Sequence, residues 1–220
     1  AVDWRLSDVE VAALAAGRHA NPFAVLGPHE TPAGLVVRAF IPNAETLSVL
    51  APNLVGPVVL ERRHDDGVFE GLVPESVGIY RLRATNAGGE WEVEDPYRFG
   101  PLLGQIDDYL LTEGTHLRLW DKLGARPLQH EGVEGVHFAV WAPNARRVSI
   151  VGDFNDWDGR RHPMRKRVDT GVWEIFLPGV GVGAHYKYEI IGPNGALLPL
   201  KSDPVAFASE LRPGTASKVA

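Results

Sequence analysis

Apolar and polar residues alternate in short runs along most of this chain, with turn residues between the runs. In the stretch "GVHFAVW" from Gly135, Val136, Phe138 and Val140 take one side and His137, Ala139 and Trp141 the other. That period of two places successive side chains on opposite faces of a β-strand. Pro143-Asn144-Ala145 then turns the chain, and Val148 and Ile150 share one face of a return strand. Trp173, Ile175 and Leu177 oppose Glu174 and Phe176, and Tyr186, Tyr188 and Ile190 alternate with His185, Lys187 and Glu189. About six or seven short strands in roughly 100 residues make an immunoglobulin-like sandwich.

The pattern occurs twice. "GLVVRAFIPNAETLSVL" from Gly34 matches "GVHFAVWAPNARRVSIV" from Gly135, an offset of 101, with Phe40 falling on Trp141. "GVFEGLVP" from Gly67 matches "GVWEIFLP" from Gly171, Tyr80 matches Tyr186, and "DPYRF" from Asp95 matches "DPVAF" from Asp203, an offset of 108. Drift by loop insertion is how duplicated domains diverge. The expected fold is all-β: two tandem immunoglobulin-like β-sandwiches over 20–106 and 127–220.

Helical periodicity is confined to two places. Ser7 with Glu10 three residues on reads as a capping box, and Gly17 as the stop. The short N-terminal helix of segment 1–19 is expected to turn Val9, Ala12, Ala13 and Ala16 to one face, with Val11 and Leu14 beside them. Between the sandwiches, Ile106, Tyr109 and Leu110, then Leu119, Trp120 and Leu123, have helical spacing. The stretch is too apolar for a tether, so the connector, 107–126, is expected to be ordered.

Composition narrows the function. The 28 acidic and 22 basic residues leave a net charge of −6, which disfavours a nucleic-acid partner, since such affinity rests on clustered Lys and Arg. The basic cluster Arg160, Arg161, Arg165, Lys166 and Arg167 reads as a solvated strand face. Without cysteine there is no disulfide or thiolate-metal site. No apolar run approaches the roughly 20 residues that span a bilayer, and the N-terminus has no signal-peptide layout. The single Met is 164, so the sequence reads as trimmed at its start.

No catalytic constellation is legible. Acid–base or nucleophilic catalysis by paired carboxylates needs two acids held close together around a substrate. Asp65-Asp66, Asp107-Asp108 and Asp153/Asp156/Asp158 sit in strands or turns, where Asp serves local backbone bonds. The eight histidines have no paired metal-ligand spacing and read as surface or second-layer residues. "GPNG" from Gly192 reads as a turn, since no glycine-rich loop opens a helix. Neither cofactor nor metal is expected.

One turn stands apart. In "VGDFNDWDGRRHP" from Val151, Trp157 rises among Asn155, Asp156, Asp158 and Gly159 after Val151 and Phe154 have anchored the strand end. An exposed indole there would stack on the C–H face of a sugar while amides and charges fix the hydroxyls.

"NPFAVLGPH" (21–29), "DPYRFGPLLG" (95–104), "EGTHLRL" (113–119), "FAVWAPNARRVSIVGDFNDWDGRRHPM" (138–164) and "LPLKSDPVAF" (198–207) occur in an order that resembles bacterial glycogen branching enzymes. The resemblance lies with the region preceding the catalytic barrel and covers nearly the whole chain. It implies a second sandwich of the carbohydrate-binding-module family 48 type, a cytoplasmic setting, and a separate barrel that cuts an α-1,4-glucan and rejoins it at O6. The chain itself is then expected to be non-catalytic, with weakly held α-glucan and its own barrel as partners. By that resemblance Trp157, Lys187, Asn155 and Thr215 are the glucan-binding candidates. A second Trp expected three residues before Asp203 is replaced by Leu200, and a late Asn by Ser217. The alternatives are a structural spacer and a protein-interaction module.

Overall fold

A computed structural model describes residues 3–104 and 122–220. The chain divides into two compact units, Ala1–Arg98 and Phe99–Ala220.

In the first unit, β1 (Gly27–Thr31), β2 (Gly34–Phe40), β5 (Glu61–His64) and β6 (Val68–Leu72) form an antiparallel sheet in the order β1-β2-β6-β5. The second sheet runs β4-β3-β7-β8, from β3 (Thr46–Leu50), β4 (Val58–Val59), β7 (Arg81–Asn86) and β8 (Gly89–Val93). Val37, Ala39, Leu47, Val49, Phe69, Tyr80 and Leu82 form one buried cluster, drawn from every second position of these strands.

The second unit repeats this plan. β9 (Gly124–His130), β10 (Val133–Trp141), β12 (Arg165–Arg167) and β13 (Val172–Pro178) take the order β12-β13-β10-β9, the first unit's order read from the other end. Register agrees as well: Phe40 opposes Val68 as Trp141 opposes Val172, and Ala39 opposes Phe69 as Val140 opposes Trp173. The second sheet, β11-β14-β16-β15, has β11 (Arg147–Gly152), β14 (His185–Ile191), β15 (Ala208–Ser209) and β16 (Ser217–Lys218). Here bridges Tyr188↔Lys201 and Ile191↔Leu197 put an irregular strand where the first unit has β8. The expectation that the sequence repeat is a structural one is met in strand order and register.

Shared turn chemistry explains the shared letters. Ile41 N–H donates to Gly67 O at 2.8 Å, and Ala142 N–H to Gly171 O at 3.0 Å. Both glycines have positive φ, +103° and +72°, and a Cβ on either would collide with the Pro-Asn-Ala turn beside it.

The sheets carrying β2 and β10 depart from simple one-faced amphipathicity, because their outer faces are covered too. In the first unit, Leu6 and α1 (Asp8–Ala15) pack on Phe40 and Val68. Ser7 caps α1 through the expected box with Glu10, and Gly17 and Arg18 close it by donating to Leu14 O and Ala13 O. The expected face is corrected, however. Val11, Leu14 and Ala15 are buried, whereas Val9 is 80 % exposed. The helix lies on its bulkier side chains, which remove more apolar area than alanines do.

In the second unit Leu103 and Leu123 cover Ala139 and Val172, and Phe99 meets Phe176 edge-on at 4.9 Å. A buried glutamate fastens each cover: Glu70 accepts Leu6 N–H at 3.1 Å, and Glu174 accepts Leu102 N–H at 2.8 Å. Of the connector, Tyr109, Leu110, Leu119 and Trp120 lie outside the described residues. Leu123 is buried, and Gly124–Arg126 begin β9 rather than ending a connector. Among the described residues no helix is long and apolar enough to cross a membrane.

Candidate functional site

The offset between the units rises from 101 at Gly34/Gly135 to 104 at Gly67/Gly171. The added residues fall between Val151 and Met164, in the turn that carries Trp157. Each letter of its "GDFN" start has a physical role. Gly152 has extended backbone, and a Cβ there would run into the carbonyl oxygen of His185 on β14. Phe154 reaches back to Phe138 in the core, ring centroids 6.1 Å apart. Asn155 is buried and spends its amide internally: Oδ1 accepts Gly152 N–H at 2.9 Å, and Nδ2 donates to Ile150 O at 2.9 Å and to His162 Nδ1 at 2.8 Å. Desolvation, with Arg161 beside it, pushes His162 down to about 3, so its ring is neutral and Nδ1 can accept. Asn155 therefore knots the turn and is no longer a candidate for direct glucan contact.

Beyond the knot, Asp156 and Trp157 both take left-handed backbone, φ +56° and +57°, which Asp tolerates and a side chain as bulky as Trp seldom adopts. Trp157 N–H donates to Gly152 O at 3.0 Å, and Trp157 Nε1 to Asp153 Oδ1 at 2.9 Å. Trp157 is half-buried, where the sequence led to the expectation of an exposed indole. Folding back onto Asp153 removes part of its surface from water.

The turn lies across the outer face of β11 and β14. Ser149 and Val151, cross-strand from Glu189 and Lys187, are fully buried although they point away from the core. Asp153 Oδ2 is 3.7 Å from His185 Nδ1, and Gly159 packs against the Glu189 carboxylate. Lys187, between those two contacts on the same face of β14, thus sits at the edge of the Trp157 turn. Its Nζ donates to Thr215 Oγ1 at 2.5 Å.

Leu200 joins this face. Tyr188 and Lys201 exchange backbone hydrogen bonds at 2.8 and 2.9 Å, so Leu200 lies beside Glu189 on the outward side, 42 % exposed. Ser217 does not join: it is buried, and its Oγ accepts Asp203 N–H at 2.8 Å. Lys187, Thr215 and Leu200 thus share one face with the Trp157 turn lying against it, and Asn155 and Ser217 are interior.

The remaining sequence candidates are absorbed locally. Arg160 pairs with Asp158 at 2.9 Å, Arg161 with Asp156 at 3.3 Å, and Arg165 donates to Phe99 O at 3.2 Å. The reading of one solvated basic strand face is corrected: these arginines are partly buried and engaged. His137 is likewise a core residue, pushed down to about 4 chiefly by burial. Among the described residues no group of three or more His, Asp and Glu could hold a metal ion. Asp107 and Asp108 lie outside them.

Comparison with known proteins gives two family matches. Residues 7–97 match the alpha-1,4-glucan branching enzyme GlgB, N-terminal domain, and residues 122–206 match carbohydrate-binding module 48 (isoamylase N-terminal domain). The 1,4-alpha-glucan branching enzyme GlgB of Mesorhizobium japonicum is 60 % identical over 212 residues, which are 96 % of this chain and 29 % of that protein. That of Rhizobium meliloti is 62 % identical over 214 residues, again 96 % of this chain and 29 % of that protein. 1,4-alpha-glucan branching enzyme GlgB 1 of Rhizobium johnstonii is 55 % identical over 222 residues, 100 % of this chain and 30 % of that protein. The chain thus spans less than a third of the length of these relatives.

Proposed function

From a chain that belongs to the N-terminal region of the glucan branching enzymes and carries a family 48 carbohydrate-binding module, we propose that the second sandwich contacts α-glucan through Trp157, Lys187 and Thr215, with Asn155 holding the turn beneath. The observation that carries this reading is the joint placement of a tethered indole and the Lys187–Thr215 pair on one outward face. An aromatic face and a few fixed polar groups are what sugar recognition uses. One platform supplies about 1–2 kcal/mol, the scale of partly burying an aromatic side chain, so affinity is millimolar or weaker.

The two sandwich modules present glucan chains to a catalytic barrel that performs the branching in the parent protein, in the cytoplasm.

A spacer role without glucan contact is the second reading. The half-burial of Trp157 and the leucine at position 200 favour it. Electrophoresis of the chain through native gels cast with glycogen decides between the two: retardation relative to a glycogen-free gel supports glucan contact. Unchanged mobility at saturating glycogen leaves the spacer.

A further inference from the structure

We propose that Asp153 is the positioning residue that sets the orientation of the Trp157 ring for sugar stacking. This rests on the glucan reading of the same face and adds the residue that aims its platform.

An indole on a turn rotates about two side-chain torsions and stacks on a sugar only in a narrow range of them. Asp153 narrows that range. Its Oδ1 accepts the Trp157 Nε1–H at 2.9 Å, a charge-assisted bond that fixes the ring's polar edge. Its Oδ2 faces His185 on β14, 3.7 Å from Nδ1. The backbone closes the loop, since Trp157 N–H bonds Gly152 O at 3.0 Å. Gly152 lies so close to the His185 carbonyl that no Cβ fits. Ring, carboxylate and β14 are thereby one unit, and the left-handed backbone at Asp156 and Trp157 is held in place by it.

The first unit supplies an internal comparison. Leu50 corresponds to Val151, so Ala51 and Pro52 stand where Gly152 and Asp153 stand. The turn there is three residues shorter and has no tryptophan. Carboxylate and indole are present together in one unit and absent together in the other, as expected if Asp153 serves Trp157.

The test uses this chain and its Asp153→Ala, Asp153→Asn and Trp157→Ala variants. Glycogen affinity comes from gel retardation, and hydrogen exchange of the Trp157 indole N–H from NMR, its resonance assigned by its loss in Trp157→Ala. Asp153→Ala should weaken retardation about five- to tenfold, the worth of one hydrogen bond, and speed indole exchange in a chain that remains folded. Asp153→Asn keeps an acceptor oxygen and should stay within about twofold of the parent chain. Retardation lost in Trp157→Ala but kept in Asp153→Ala overturns the proposal alone, as does an indole N–H that exchanges no faster in Asp153→Ala. Retardation that survives Trp157→Ala overturns the glucan reading, and this proposal with it.

Discussion

The hydroxyl of Tyr186 donates to the buried carboxylate of Asp203 at 2.6 Å, and that carboxylate also accepts Val205 N–H at 3.0 Å. The first unit repeats the arrangement, with Tyr80 donating to Asp95 at 2.5 Å and Tyr97 N–H to Asp95 at 3.0 Å. The duplicated Asp-Pro letters thus share one role: a buried carboxylate ties the backbone just beyond it to a core tyrosine.

That buried carboxylate makes the first unit's stability depend on pH. Burial above all pushes Asp95 up to about 6, from an ordinary value of 3.8. The folded state therefore holds the proton more tightly. The stabilisation is fully present below the unfolded value and is lost as pH rises through about 6. Asp95→Asn, which still accepts from Tyr80, should remove this dependence. Between pH 4 and pH 7 the parent chain should lose on the order of 2–3 kcal/mol relative to the variant. A stability difference that stays the same at both pH values, by urea denaturation, would exclude the effect.

His162 works with the opposite sign. Its folded value of about 3 lies below the ordinary 6.5, so its contribution is present above pH 6.5 and fades as pH falls toward 3. His162→Gln keeps an acceptor for Asn155 Nδ2 without a titrating ring. Relative to that variant, the parent chain should lose stability from pH 7 to pH 5. A gain over that interval would show that the ring is not held neutral.

Gly152→Ala should unfold the second unit more readily, although the backbone there is extended and unstrained. The cost is steric, since the new Cβ meets the His185 carbonyl and the Phe154 ring. A loss of about 1–3 kcal/mol is expected, as for overpacking. A melting temperature within a degree of the parent would show that β14 can shift aside.

Trp157→Ala should abolish glycogen retardation at a cost of about 1–2 kcal/mol in stability. That is less than the roughly 3–5 kcal/mol of a core aromatic, because the ring is half-buried. Leu200→Trp, beside Glu189 on the same outward face, should instead strengthen retardation by supplying a second platform. Two variants that migrate like the parent in glycogen gels would remove the sugar-contact reading and leave the spacer.

Much of this was legible in the sequence because it depends on local periodicity. Alternation at Val136, Phe138 and Val140 and the Ser7–Glu10 cap reflect neighbours close along the chain, and with the repeat from Gly34 to Gly135 they point to the two all-β units and the helix. What lay between distant segments was not legible. Burial of Asn155 and the half-burial of Trp157 depend on a turn folding back over β14, a strand remote from it in sequence, and the inward position of Ser217 on its pairing with Tyr186. The same holds for the buried face of α1 and for Leu103 and Leu123 covering β10 and β13. Residue type and spacing determine which way a side chain points along its own strand. Whether that direction meets water or another segment is decided only when the sheets are assembled.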